Sequence, residues 1–350
     1  MLGDRTAQPP RAFAAGLRSR NCLVLVVGFW MFASLARMAA QTALPVWPPP
    51  PAESCIEYVR DLASPKDIGV KPAFFTRLAN VITGVGADAK RLERPFGLSL
   101  DEAGNLTVTD TGANAVCFLD FASKKWLRWT AVGGRSFLSP VAAAHRARTF
   151  FVADSAWGRV VAFDEKGKVS FEITNAVARP AGLALLGDRL LIADSQLHQI
   201  VICGPHGEFI SKFGKRGAGP GEFNFPTHVA VDEQNRIYVT DSLNQRIQVF
   251  SAEGVFLRAF GSAGDGPGHF SRPKGVAADY AGHVYVVDAV FGNVQIFDGE
   301  GRLLLDFGEA GSGPGKFWLP NAIAINSRNE IFVADAYNHR VQMFRYTGRQ

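Results

Sequence analysis

The chain has only four cysteines in 350 residues, and no two of them form a CxxC pair. That set can build neither a zinc knuckle nor a disulfide framework. Cys22 lies in the N-terminal segment, Cys55 follows a proline run, and Cys117 and Cys203 fall in apolar, strand-like stretches. A free cysteine in such a stretch behaves as a small hydrophobe. A concentrated excess of positive charge is also missing. The formal net charge is +5, but Arg5, Arg11, Arg18, Arg20 and Arg37 stand against one acid, Asp4, within residues 1–40. The remainder carries 32 basic and 31 acidic side chains. It therefore lacks the electrostatic footprint of a nucleic-acid binder, and no nucleic-acid partner is expected.

What is present begins with an N-terminal segment of export type. Arg11, Arg18 and Arg20 precede an uncharged apolar run, Cys22–Ala36, which shows no amphipathic period and is followed by Arg37 and small residues. Fifteen apolar residues suit a signal-peptide core better than a bilayer span, which needs about 20. Residues 1–40 are thus expected to be a signal peptide or an uncleaved signal anchor. An exported location follows, periplasmic or extracytoplasmic, with a single N-terminal membrane segment if cleavage does not occur. Pro45-Val46-Trp47 and the four prolines 48–51 favour an extended polyproline geometry, and residues 41–72 read as a linker.

Beyond it the sequence repeats. Prolines 95, 140, 180, 226, 273 and 320 each open an apolar run, and aspartates 110, 154, 194, 241, 288 and 335 each close the next one. The aspartates are spaced by 44, 40, 47, 47 and 47 residues. A period in the forties made of short strands and turns indicates propeller blades. Each copy reads as four antiparallel strands, and since one blade cannot bury two apolar faces, the copies must stack into a ring. The expectation is an all-β, six-bladed propeller over residues 73–350, a single domain that acts as a monomer. The sixth copy lacks an outer strand of its own; Phe74–Thr83 has the spacing to supply it and to pair with Arg340–Phe344.

The copies PTHVAVDEQNRIYVTDSLNQRIQVF (226–250) and PNAIAINSRNEIFVADAYNHRVQMF (320–344), with their recurring GxGPGxF loops, resemble the NHL repeat. The pattern departs at one position: the Arg five residues after each Asp is kept as Arg159, Arg246 and Arg340, but is Ala115, Gln199 and Asn293 elsewhere. The resemblance implies the six-bladed fold. It leaves function open, because NHL propellers include protein-binding, RNA-binding, sensor and catalytic members.

The repeated Asp and Arg are expected to be structural ties, since a residue used once per blade serves the ring. The loops GAGPGEF (217–223), GDGPGHF (264–270) and GSGPGKF (311–317) lead into a strand and not a helix, so they are expected to be turns between blades and not phosphate cradles. Amidating lyases, which NHL proteins resemble, hold zinc with several histidines near the channel. Here the two residues after each Pro should line the channel mouth, and His228 is the only histidine among those twelve. Three protein ligands are usual for catalytic zinc, so no metal, cofactor or catalytic residue is assigned. Thr227, His228, Lys274 and Asn321 are the polar candidates at the mouth. The loops after each Asp, with the residues beside the prolines, bring Trp157, Leu197, Phe225, Leu243, Phe291, Trp318 and Tyr337 to one face. Clustered apolar and aromatic side chains mark interaction surfaces. The expected function is a binding or scaffold propeller that engages a protein partner through this face. The alternative is a metal-dependent lyase or hydrolase with its site at the channel.

Overall fold

The computed structural model describes residues 44–71 and 90–348; residues 1–40, read from the sequence as an export segment, lie outside them. Six four-stranded antiparallel sheets form the six blades, and the last carries a fifth, short strand at its edge. In blade four the inner strand is Pro226–Val231, followed by Ile237–Asp241, Arg246–Phe250 and the outer Phe256–Phe260. The other blades repeat this order from Pro95, Pro140, Pro180, Pro273 and Pro320. Inner strands of neighbouring blades pack together around the channel, and Pro320–Ile325 meets Pro95–Leu100 to complete the ring.

The second strands are buried along their whole length, as in Ile237–Asp241 and Val284–Asp288. The outer strands of blades two, four and five alternate, as in Phe256–Phe260, because one side of the blade edge faces water. The core is accordingly not one mass. Six apolar clusters each span two adjacent blades, so each blade is stable only against its neighbours.

An N-terminal strand closes the last blade as expected, but a different segment supplies it. The outer strand of the sixth blade is Ile56–Leu62, which pairs antiparallel with Arg340–Tyr346. That strand lies within the stretch read as linker, while Phe74–Thr83 falls outside the described residues. Ile56 and Leu62 are fully buried, and Arg340 spans the seam with ion pairs to Asp335 on one side and Asp61 on the other, both at 2.9 Å. Trp47, from the proline run, packs on Phe307 and Phe344. The segment is extended because its side chains cover the last blade, a role that composition alone does not reveal.

The repeated aspartates are ties. Each is fully buried and accepts backbone amides from the loop just ahead of its own blade's opening proline. Asp110 takes Glu93 and Arg94, Asp194 takes Ala178 and Arg179, and Asp288 takes Ser271 and Arg272. Asp241 and Asp335 add Arg246 and Arg340, whereas Arg159 pairs with Glu172 and leaves Asp154 to backbone donors. The glycine-rich loops are turns, as their context requires. The amides of Gly221, Gly268 and Gly315 go to Gln248, Gln295 and Gln342, and Phe223, Phe270 and Phe317 are buried plugs between blades.

Two substitutions test this account. Asp335→Ala leaves Arg340 half-paired and four donors without their acceptor; the expected loss is about 3–5 kcal/mol, read as a lowered urea midpoint. At Gly182 an added Cβ would lie 2.7 Å from the Thr227 carbonyl oxygen and 2.9 Å from the His228 Cα. Since both are backbone atoms of the next blade, Gly182→Ala is expected to cost about 1–3 kcal/mol. A midpoint unchanged in Gly182→Ala would show that the two inner strands are not held at this separation.

Candidate functional site

Three tiers of side chains, drawn once per blade, surround a cavity of 540 Å³ at the mouth of the channel. The size falls within the range of small-ligand sites. The residue just after each opening proline forms the wall: Phe96, Val141, Ala181, Thr227, Lys274 and Asn321 all line it. Of the next residue in each blade, only His228 reaches the cavity. Thr227, His228, Lys274 and Asn321 are therefore brought together as the register requires. Asn321 donates to the Phe96 carbonyl at 3.0 Å and so bridges the sixth and first blades.

Sequence reasoning missed the rim. The residue just before each proline also lines the cavity: Arg94, Ser139, Arg179, Phe225, Arg272 and Leu319. The arginines fall in blades one, three and five, each within an Arg-Pro-x-Gly motif (94–97, 179–182, 272–275). That triple motif was the available signal; alignment on the proline alone treats the residue ahead of it as loop. Phe225 and Leu319, in blades four and six, instead adopt positive φ of 56° and 51°. Phe225 is held by its amide, which donates to His198 Nδ1 at 3.2 Å. Hydroxyls of Thr111, Ser155 and Ser195, each following a repeated Asp, complete the lining.

The electrostatics are one-sided. The lining includes three Arg and one Lys but no Asp, Glu or Cys, and a single His. Among the described residues no group of three His, Cys, Asp or Glu side chains lies close enough to hold a metal ion. Burial pushes the Lys274 ammonium below its ordinary value, with Arg272 adding repulsion. Burial likewise drives His228 from 6.5 to about 3, assisted by Lys274. Neither ring nitrogen of His228 nor the Thr227 hydroxyl reaches solvent, and none has a hydrogen-bond partner among the described residues. His228 touches the cavity through the rest of the residue, with its imidazole neutral.

The apolar candidates divide. Leu197, Phe225, Leu243, Trp318 and Tyr337 are exposed, and the Trp318 and Tyr337 rings lie 5.7 Å apart. Tyr337 and Phe225 also reach the cavity. Trp157 is half-buried, stacked on Phe137 at 5.5 Å beneath Arg135 and Arg159, and Phe291 is half-buried too. Trp157 thus serves blade packing more than the surface. Leu319, exposed beside Trp318, belongs to the patch and was not expected there.

Comparison with known proteins fits this architecture. The DUF5128 family, a 6-bladed beta-propeller, matches residues 174–237 and 233–281, and the NHL repeat matches residues 317–344. The chain is a six-bladed β-propeller that carries an NHL repeat. Its fold is similar to that of a virginiamycin B lyase from Staphylococcus aureus, at 13% identity and a TM-score of 0.52, covering 72% of this chain and 95% of that one. It is also similar to a gluconolactonase from Xanthomonas campestris, at 14% identity and a TM-score of 0.54, covering 73% and 86%. A Kuenenia stuttgartiensis hydrazine synthase matches at 13% identity and 0.53, covering 73% and 96%. At such identities the likeness is one of fold. No curated protein matches this chain in sequence.

His228 yields a pH prediction. The unfolded chain takes up a proton below about 6.5, which the folded ring refuses until about 3. Stability from this group is therefore complete above 6.5 and declines as pH falls toward 3, by up to about 1.4 kcal/mol per pH unit. His228→Leu should flatten that part of the acid profile. At pH 7 it should also gain about 1 kcal/mol by removing two unsatisfied nitrogens. Urea unfolding at pH 7 and pH 5 measures both effects; equal acid sensitivity in the variant would mean that the imidazole is hydrated.

Proposed function

We propose that the propeller is a binding module, exported and held at a membrane if its N-terminal segment is retained, which engages a protein partner through the channel-mouth face. The observation that carries this reading is the exposed cluster of Trp318, Leu319 and Tyr337 on the sixth blade, with Phe225 exposed elsewhere on the same rim. Trp318 is 56% exposed, with its ring tilted against that of Tyr337. Large apolar side chains left in water at one place are costly for a monomer and typical of an anchor for a partner. Arg94 stacks over the Tyr337 ring at 5.1 Å, which presents a flat, amphipathic surface of the kind enriched at interfaces. The channel alternative, a metal-dependent lyase or hydrolase, has less support, because the lining offers one histidine and no carboxylate or thiolate.

A photoreactive residue at Tyr337, followed by mass spectrometry of the captured material, tests the proposal. One dominant crosslinked protein is expected, and Trp318→Ala should weaken its purified complex by about 2 kcal/mol or more, the scale of an interface hot spot. No enriched protein, or capture undiminished by Trp318→Ala, would overturn the proposal.

A further inference from the structure

The guanidiniums of the rim arginines are not used by the fold. Arg94, Arg179 and Arg272 are exposed, and their guanidiniums make no ion pair with any described residue. Of the three guanidiniums, that of Arg94 lies over the Tyr337 ring. Lys274, in the wall below Arg272, is half-buried and likewise lacks an acidic partner among the described residues. Placing a lysine in a largely desolvated wall beside another cation opposes stability, so a compensating anion is the missing element. The nearest carboxylates cannot supply it. Asp194, behind Arg179, is buried, and its two oxygens are occupied by the amides of Ala178, Arg179, Gln196 and Leu197. Asp110 and Asp288 are saturated in the same way behind Arg94 and Arg272.

From this arrangement we infer that the channel-mouth cavity is a binding site for a small organic polyanion, a molecule with two or more carboxylate or phosphate groups. Guanidiniums recognise the paired oxygens of both groups by parallel N–H donors. Their placement on alternate blades surrounds the cavity and keeps the like charges apart. The hydroxyls of Thr111, Ser155 and Ser195, which donate to the carbonyls of Arg94, Pro180 and Arg179, keep lone pairs that can accept from the uncharged part of the ligand. More than one negative charge is required, because the buried Asp carboxylates behind the rim offset part of the field, and a lone carboxylate gains little against them. The site stands on residues other than Trp318 and Leu319, so it does not depend on the protein-partner reading.

Calorimetric titration of the full chain with citrate and, separately, with pyrophosphate tests the inference, with glucose as the uncharged control. One of the two anions should bind with one-to-one stoichiometry, more weakly as NaCl is raised, and the better of them identifies the oxygen geometry preferred. Arg179→Gln and Lys274→Met should each weaken it about tenfold or more, with circular dichroism and Tm confirming the fold. Arg216→Gln, in a loop between blades away from the cavity, should leave it unchanged. The inference is overturned if neither anion binds, or if binding is indifferent to Arg179→Gln and Lys274→Met. Retention of anion binding in Trp318→Ala separates this site from the protein-binding face.

Discussion

A buried aspartate carboxylate, met once in every blade, is the contact on which the geometry of the channel mouth depends. An anion removed from water is tolerated only when donors surround it, and here the donors are mostly backbone amides of the loop that approaches the inner strand. The loop must therefore curl over the carboxylate before the proline turns it down the channel. Arg94, Arg179 and Arg272 each give their own amide to this carboxylate, which fixes where their side chains start. The residues that face the ligand cavity are thus positioned by the same bonds that hold the blade together.

Upon this common tie the ring alternates. Blades one, three and five carry Arg-Pro-x-Gly, and their glycines let the inner strand lie against the backbone of the following blade. At Gly97 and Gly275, as at Gly182, any Cβ would fall under 3 Å from backbone atoms of that neighbour. Blades two, four and six carry Ala142, His228 and Ala322 at the matching position. The ring is in this respect three pairs of blades. Charge at the rim and closeness at the wall follow the same alternation, so one small motif sets both the chemistry and the width of the mouth.

Much of this was legible in the sequence, for identifiable reasons. Proline and aspartate recur because one lacks an N–H and the other needs several, and their spacing gave the blades, the strand order and the wall residues from Phe96 to Asn321. The closing strand was not legible. An outer strand asks only for alternating apolar residues, and the stretches 56–62 and 74–83 both satisfy it; the choice is made by Asp61 meeting Arg340 across the seam, a pairing distant in sequence. Trp157 and Phe291 were placed on the right loops, but exposure depends on neighbours such as Phe137, which no repeat pattern predicts. The arginine rim was visible only if the residue ahead of each proline was compared across alternate copies.

The seam in the sixth blade also sets the order in which the molecule can be completed. Asp61 and Arg340, which meet there, are 279 residues apart in the chain. During synthesis, at roughly 5–20 residues per second, the strand 56–62 emerges early and waits on the order of tens of seconds for its partner. Until then the growing protein is an open arc with two unpaired edges, which invite pairing with other chains. Closure acts as a length check: only a chain that has reached its last blade can hide both edges.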